Sequence, residues 1–137
     1  MTVKKTILCV DDEQSLSIQK VTLQTRGYRV VTCNTAVEAM EIFGNGSVDL
    51  LMSNVTLPDS SATDLVERIK TLSPEVPVIL LSSHMRIFHT DAPVDLLLRK
   101  GTYTQAELLE RIRLLLVKRR GPRRALPSAI VTRAQAC

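Results

Sequence analysis

Five short apolar runs recur along the chain, and each is continuous rather than alternating between apolar and polar residues. Continuous runs of this length are typical of strands buried on both faces of a parallel sheet. A segment with helical character follows most of them, so the chain alternates predicted strands and helices. The runs are Ile7–Val10, Val30–Cys33, Leu50–Met52, Val78–Leu81 and Leu96–Leu98.

Helical spacing of apolar residues follows the second, third and fifth strands. Gly27 and Gly44 stand where glycine commonly ends a helix, and we expect them to end the first and second helices. The first, second, third and fifth predicted helices span about Ser15–Arg26, Ala36–Phe43, Thr63–Leu72 and Gln105–Val117.

Two helix starts carry the capping-box pattern, in which a Thr is followed three residues later by a Glu. The pairs are Thr35 with Glu38 and Thr104 with Glu107. The fourth connection, residues 83–94, has room for only a turn or two of helix, and Pro93 interrupts it. We therefore expect a shortened fourth helix.

Alternation of strand and helix predicts parallel pairing, and right-handed crossovers place helices on both faces of the sheet. The expected fold class is α/β: a doubly wound five-stranded parallel sheet, in a three-layer (βα)5 sandwich. In such folds the ligand pocket lies at the carboxyl ends of the strands.

The chain of 137 residues is long enough for one domain with one core. Its net charge of +4 comes from the C-terminal end, because residues 118–137 hold six basic and no acidic residues. The remaining residues, 1–117, carry 12 basic and 14 acidic groups. We predict a domain at residues 1–120 and a flexible basic tail at residues 121–137.

No apolar run approaches the length of a membrane span. The first run is too short for a signal peptide and leads directly into three acids, so we expect a cytoplasmic protein. Cys9, Cys33 and Cys137 show no metal-ligand spacing. Cys9 and Cys33 lie in apolar runs and are expected to be buried, reduced thiols.

Polar residues follow or end four of the predicted strands, where parallel strands bring them to one edge of the sheet. Two carboxylates at such an edge attract a hard cation such as Mg²⁺. A hydroxyl and an ammonium opposite them suit the oxygens of a phosphoryl group. These residues are Asp11 and Asp12, Asn54, Ser82 with Ser83, and Lys100.

Four segments, in order, resemble the characteristic strand ends of bacterial response-regulator receiver domains. The resemblance covers about residues 5–117 and implies a flavodoxin-like fold with strand order 2-1-3-4-5. The segments are Ile7-Leu-Cys-Val-Asp-Asp-Glu13, Asp49-Leu-Leu-Met-Ser-Asn-Val-Thr-Leu-Pro-Asp59, Val78-Ile-Leu-Leu-Ser-Ser83 and Asp95-Leu-Leu-Leu-Arg-Lys100.

The resemblance also implies a role for each matching position. Asp11 and Asp12 would be the acidic metal pair, with the backbone carbonyl of Thr56 as a third ligand. Ser82, followed by Ser83, would supply the switch hydroxyl, and Lys100 would pair with phosphate. Asn54 stands where the family carries the aspartate that accepts the phosphoryl group.

Asn54 is the most consequential departure from the family. An amide oxygen is a poor nucleophile, so we expect no phosphorylation at this position. The loss of one carboxylate should weaken any Mg²⁺ site. Without a metal, we expect Lys100 to pair with Asp11 or Asp12. Asp59, the nearest alternative acceptor, is interpreted as a solvated turn acid.

Three smaller departures concern the part of the chain that would form the hydroxyl-and-aromatic switch of a receiver. Gly101 replaces the usual proline after the lysine, and Leu97 replaces the usual switch aromatic. The segment between Ser82 and Lys100 is about one helical turn short. We infer that the usual hydroxyl-and-aromatic switch is absent or altered.

The expected function is a stand-alone receiver in phosphorelay signalling, not an enzyme, that works by protein contact. Its implied partners are a sensor histidine kinase, a phosphotransfer protein or another receiver, and a homodimer is a further option. A metal-dependent phosphatase would need a nucleophile or activated water that Asn54 does not supply.

Two alternatives stay open. One is an ordinary receiver with an engineered Asp-to-Asn substitution. The other is an adaptor whose basic tail contacts nucleic acid or a membrane surface. The tail has no interleaved aromatic residues for base stacking, so sequence-specific recognition of nucleic acid is not expected.

Overall fold

A single five-stranded parallel sheet, in the order β2-β1-β3-β4-β5, organises the computed structural model, which describes residues 4–83 and 93–119. This confirms the predicted fold class and strand order. The strands are β1 (Thr6–Val10), β2 (Arg29–Cys33), β3 (Leu50–Asn54), β4 (Val78–Ser82) and β5 (Leu96–Arg99). The helices are α1 (Glu13–Gln24), α2 (Ala36–Asn45), α3 (Ala62–Leu72) and α4 (Gln105–Arg119), the last being the fifth helix of the sequence analysis.

Alternate residues of β1 face opposite sides of the sheet and belong to two separate cores. Leu8 and Val10 pack in the core that includes residues of α2 and α3. Ile7 and Cys9 pack in the core that includes residues of α1 and α4. The result is the predicted three-layer sandwich, with all four side chains fully buried.

Cys9 and Cys33 are buried free thiols, as the sequence predicted. They lie in different cores, Cys9 beside α1 and α4 and Cys33 beside α2 and α3. Burial raises the pKa of Cys33 to about 11, and it also raises the pKa of Cys9. Both cysteines therefore contribute apolar packing rather than reactivity.

The strands extend one or two residues beyond the predicted runs, whereas one predicted helix end is wrong. Gly44 does not end the second helix, which continues to Asn45 and is capped by Gly46. A glycine inside a helix costs about 1 kcal/mol. That cost is too small to end a helix anchored by the buried Ala36 and Ala39.

The capping box at Thr104 and Glu107 forms with both of its hydrogen bonds, and at Thr35 and Glu38 the bond to the N-cap hydroxyl forms. The backbone N–H of Glu38 donates to the hydroxyl of Thr35 at 3.1 Å. The backbone N–H of Glu107 donates to the hydroxyl of Thr104 at 3.1 Å, and the backbone N–H of Thr104 donates to the Glu107 carboxylate at 2.8 Å. These bonds fix where α2 and α4 begin.

Two predictions concern segments outside the described residues: the shortened fourth helix, and the flexible tail at residues 121–137. Among the described residues, no helix has both the length and the apolar character needed to span a membrane.

Candidate functional site

Because the strands are parallel, the carboxyl ends of β1, β3, β4 and β5 lie at one edge of the sheet. Val10 of β1 lies opposite Ser53 of β3, so Asp11 and Asn54 follow neighbouring positions. Asn54 lies opposite Leu81 of β4. On the outer side, Ser82 pairs with Arg99, and the backbone N–H of Lys100 donates to the carbonyl of Ser82 at 2.7 Å.

An ion pair between Lys100 and Asp11 lies at the centre of this edge. The ammonium nitrogen of Lys100 is 2.8 Å from Oδ2 of Asp11, whose side chain is 1% exposed. The ammonium also lies 3.4 Å from the hydroxyl of Ser15 on α1. Lys100 thus pairs with Asp11, one of the two acids that the sequence placed at this edge.

Gln19 on α1 is a site residue that the sequence analysis missed. Its amide Nε2 donates to Oδ2 of Asp11 at 3.1 Å, the same oxygen that Lys100 contacts. The other oxygen of Asp11 accepts from the backbone N–H of Asp12 at 2.8 Å. Ser15 and Gln19 are four residues apart and so share one face of α1, which is the signal that could have identified Gln19.

Asp12 lies beside the pair but performs a different structural task. It is the N-cap of α1, accepting from the backbone N–H of Ser15 at 2.8 Å. That hydrogen bond lowers the pKa of Asp12, and the nearby ammonium of Lys100 lowers it further. Asp12 is therefore held as a carboxylate at neutral pH, beside the ion-paired Asp11.

Asn54 makes a local hydrogen bond. Its side-chain Nδ2 donates to the backbone carbonyl of Thr56 at 2.9 Å. Its Oδ1 is buried and has no hydrogen-bond partner among the described residues. The carbonyl of Thr56, the implied third metal ligand, thus already accepts from Asn54.

The remaining predicted positions lie on or next to β4 and β5. Ser82 is buried at the end of β4, and Ser83 is exposed just beyond it. Leu97 on β5 is 37% exposed. Gly101 has a φ of +88°, a conformation that proline cannot adopt because its ring fixes φ near −65°. The backbone after Lys100 therefore takes a path that the usual proline would not allow.

Asp59 is a solvated acid in a turn, as the sequence predicted, and it also has a structural role that was not predicted. Asp59 is exposed, but its two carboxylate oxygens accept from the backbone N–H groups of Ala36 and Val37 at 2.8 and 3.0 Å. These bonds lower the pKa of Asp59. A carboxylate from the β3–α3 connection thus completes the first turn of α2, where the helix dipole favours negative charge.

The donor set suits a hard cation, but each potential ligand already has an internal partner. Carboxylate and carbonyl oxygens are the ligands that Mg²⁺ prefers. Asp11 is bonded to Lys100 and Gln19, and the Thr56 carbonyl accepts from Asn54. No group of three or more acidic, His or Cys side chains with metal-binding spacing occurs in residues 4–83 and 93–119.

A family model described as "Response regulator receiver domain" matches residues 7–113. Among similar curated proteins, the sensor kinase CckA of Brucella abortus is 32% identical over 94 residues, 66% of this chain and 10% of CckA. The two-component response regulator ARR10 of Arabidopsis thaliana is 38% identical over 81 residues, 57% of this chain and 14% of ARR10. The aligned segments span between 9% and 18% of the lengths of such relatives.

Solved structures show the same fold. A CheY-like receiver domain protein from Methanospirillum hungatei superposes with a TM-score of 0.78 at 28% identity, covering 86% of this chain and 98% of that one. The response regulator protein TrrA from Thermotoga maritima, in complex with Mg²⁺-BeF, gives a TM-score of 0.73 at 27% identity, covering 81% and 98%. With this fold, and with a family model that matches most of its length, the chain belongs to the response regulator receiver domain family of two-component signalling.

Proposed function

We propose that this receiver is not phosphorylated as its sequence stands and acts in a phosphorelay through contacts with other proteins. The observation that carries the proposal is Asn54 at the carboxyl end of β3, donating its amide to Thr56 where the family resemblance implies an acceptor aspartate. An amide nitrogen shares its lone pair with the carbonyl, so the oxygen is a poor nucleophile toward phosphorus.

The ion pair between Lys100 and Asp11 lies at the same edge of the sheet. Lys100 has a partner in Asp11, so its ammonium is neutralised without a phosphoryl group. The signal would then come from the surfaces that the domain presents to its partners.

Mg²⁺ would be held by Asp11, Asp12 and the backbone carbonyl of Thr56, and binding would be weak. The ion would supply positive charge against the oxygens of an anion. It would compete with Lys100 and Gln19 for Asp11, and with Asn54 for the carbonyl of Thr56. Two carboxylates rather than three also lower the electrostatic attraction for a divalent cation.

The relatives suggest the class of partner. CckA is a sensor kinase, and LuxN of Vibrio harveyi is a sensor kinase/phosphatase. A sensor histidine kinase, a phosphotransfer protein, another receiver or a second copy of this chain would therefore contact the domain. The site gives no support for an enzyme, because phosphatase chemistry would need a nucleophile or activated water beside Asn54.

The test is treatment with acetyl phosphate and Mg²⁺, followed by intact mass and peptide mapping. The chain itself should gain no phosphoryl group, whereas Asn54→Asp should gain one, at residue 54. Asn45→Asp is the matched control, because it adds a carboxylate at the last residue of α2, away from the site.

Phosphorylation of the unaltered chain at Asp11, Asp12 or Asp59 would contradict the proposal. If Asn54→Asp gains no phosphate either, the block lies elsewhere in the site and its assignment to Asn54 is wrong. Uptake by Asn54→Asp together with a change in oligomeric state would favour the alternative of an ordinary receiver with an engineered substitution.

A further inference from the structure

A pocket of about 220 Å³ opens between α1 and α4, and we call it the α1–α4 pocket. Ser15, Gln19 and Thr22 line one side of it, from positions that recur on one face of α1. Residues at the end of β5 and at the start of α4 line the other side. Met52 of β3 also belongs to the lining and is 1% exposed, so the pocket reaches the sheet.

The inner lining of the pocket is apolar. Leu23, Met52 and Leu108 are buried members of the core that lies between the sheet and the helices α1 and α4. Tyr103 is partly buried and packs against the same core. A void beside such side chains lacks the dispersion contacts that a second apolar surface would supply. Because thioethers and aromatic rings both contact other rings favourably, Met52 and Tyr103 favour an aromatic ligand.

Gln19 brings an unused hydrogen-bond acceptor to this pocket. Its Nε2 donates to Oδ2 of Asp11 at 3.1 Å, whereas its Oε1 is buried and has no hydrogen-bond partner among the described residues. A buried acceptor that stays unpaired destabilises the structure, so a ligand that donates to it is stabilising. The Gln19 side chain is only partly buried, and a small rotation of its amide would present Oε1 to the pocket.

The charges beside the pocket cancel each other. Among the described residues that line it, Lys100 is the one charged side chain, and its ammonium lies 2.8 Å from Oδ2 of Asp11. A cationic ligand would meet this ammonium, and an anionic ligand would have to compete with the Asp11 carboxylate for it. The pocket therefore favours a neutral molecule.

We propose that the α1–α4 pocket binds a small, neutral aromatic molecule that donates a hydrogen bond to Oε1 of Gln19. Pockets for drug-sized ligands occupy about 300–1,000 Å³, so this one suits a molecule of one or two fused rings. The proposal goes beyond the proposed function and does not depend on Asn54. Because Gln19 and Lys100 both contact Asp11, such a ligand would act on the charged edge of the sheet without a phosphoryl group.

The experiment titrates the ¹⁵N-labelled full chain with indole and follows the backbone amide resonances by NMR. The matched probe is 1-methylindole, which has the same rings but no N–H donor. Indole should cause saturable shifts at the residues that line the pocket, with a Kd of about 1 mM or lower. 1-Methylindole should bind about fivefold more weakly, the loss that one hydrogen bond predicts. In Gln19→Met, which removes the amide and keeps the length of the side chain, the two probes should bind equally.

Thr22→Phe adds a ring within the pocket and should weaken indole binding at least about tenfold, because the added ring takes the place of the ligand. Val21→Phe is the matched control, since it adds the same ring at the neighbouring exposed position, outside the lining. It should leave the Kd for indole unchanged. The comparison of the two probes needs no substitution, so it tests the proposal even if Thr22→Phe does not fold.

Three results would each overturn the proposal. The first is the absence of a saturable shift up to about 10 mM indole. The second is equal affinity of the unaltered chain for indole and 1-methylindole, or a difference between the probes that persists in Gln19→Met. The third is an equal loss of indole affinity in Thr22→Phe and Val21→Phe.

Discussion

Lys100 and Asp11 are 89 residues apart in sequence, and their side chains meet at 2.8 Å. The two partners are unequally buried, since the side chain of Lys100 is 23% exposed and that of Asp11 only 1%. Removing one partner therefore leaves the other in a very different environment. The pair also joins the end of β5, an edge strand, to the end of β1, an inner strand of the sheet.

Lys100→Met should destabilise the protein by about 3 kcal/mol, because it leaves the buried Asp11 carboxylate without its cation. Asp11→Asn should cost less, because the freed ammonium of Lys100 can turn into water. The double variant Asp11→Asn/Lys100→Met should have a free energy of unfolding close to that of Asp11→Asn alone. Urea unfolding at neutral pH measures the three free energies of unfolding.

Arg113→Met is the control, because it removes one partner of an ion pair that is exposed on both sides. Arg113 and Glu110 form a 2.8 Å pair on α4, with both side chains more than half exposed. Exposed pairs contribute little to stability, so this substitution should barely change the unfolding curve. Equal losses for Lys100→Met and Asp11→Asn would show that the burial of Asp11 does not determine the cost.

Asn54→Asp should make the stability of the domain dependent on Mg²⁺. Its carboxylate cannot donate to the carbonyl of Thr56, and it adds a third negative charge beside Asp11 and Asp12. We expect a loss of about 1–3 kcal/mol in EDTA. Because three carboxylates bind a divalent cation more strongly than two, millimolar Mg²⁺ should recover much of that loss.

Thermal unfolding with and without Mg²⁺ checks this prediction. Asn45→Asp makes the same charge change on α2 and should show no greater Mg²⁺ dependence than the unaltered chain. An Asn54→Asp protein whose melting temperature is the same in EDTA and in Mg²⁺ would contradict the assignment of Asp11 and Asp12 as metal ligands.

The parts of the fold that the sequence predicted are those encoded by neighbouring residues. Apolar runs marked all five strands because each strand is apolar in its own composition, although the edge strands β2 and β5 are only partly buried. Thr35 with Glu38 marked the start of α2 because a capping box is complete within four residues. The two glycines show the limit of such local signals. Gly27 ends its turn with a φ of +88°, whereas Gly44 stays within a helix.

The site residues that the sequence did not reveal depend on contacts between distant segments. Asp59 bonds to Ala36 and Val37, 23 and 22 residues earlier in the chain. Gln19 was ambiguous because a polar residue on a helix is usually solvated. Only the packing of α1 against the sheet edge directs its amide to Asp11. Resemblance to receivers predicted which position would accept a phosphoryl group, but it could not show these supporting contacts, which belong to this chain.

Lys70 and Asp95 should stabilise the amino-terminal edge of the sheet. The ammonium of Lys70 donates to the carbonyl of Val76 at 2.7 Å and to Asp95 at 3.0 Å. The same Asp95 oxygen accepts from the backbone N–H of Val78 at 2.7 Å. Lys70→Met keeps the apolar stem and removes the charged donor, so we expect a loss of about 2 kcal/mol.

Urea unfolding of Lys70→Met, with Lys20→Met as the matched control, tests this ion pair. Lys20 is exposed on α1, and its substitution should leave stability nearly unchanged. If the two variants unfold at the same urea concentration, the contacts of Lys70 contribute no more than those of a solvated lysine.

Asp59 should make the stability of α2 dependent on pH. Its pKa lies below the ordinary value of 3.8 because the backbone N–H groups of Ala36 and Val37 donate to it. A group with a lowered folded pKa contributes its full stability above the unfolded pKa and loses it as the pH falls through the folded pKa. Asp59→Asn should therefore lower the melting temperature most near neutral pH, and the difference should shrink below about pH 4.

Glu75→Gln, at an exposed loop acid, should show a small difference that does not change with pH. A difference between Asp59→Asn and the unaltered chain that persists unchanged at about pH 3 would mean that the carboxylate charge does not stabilise the start of α2.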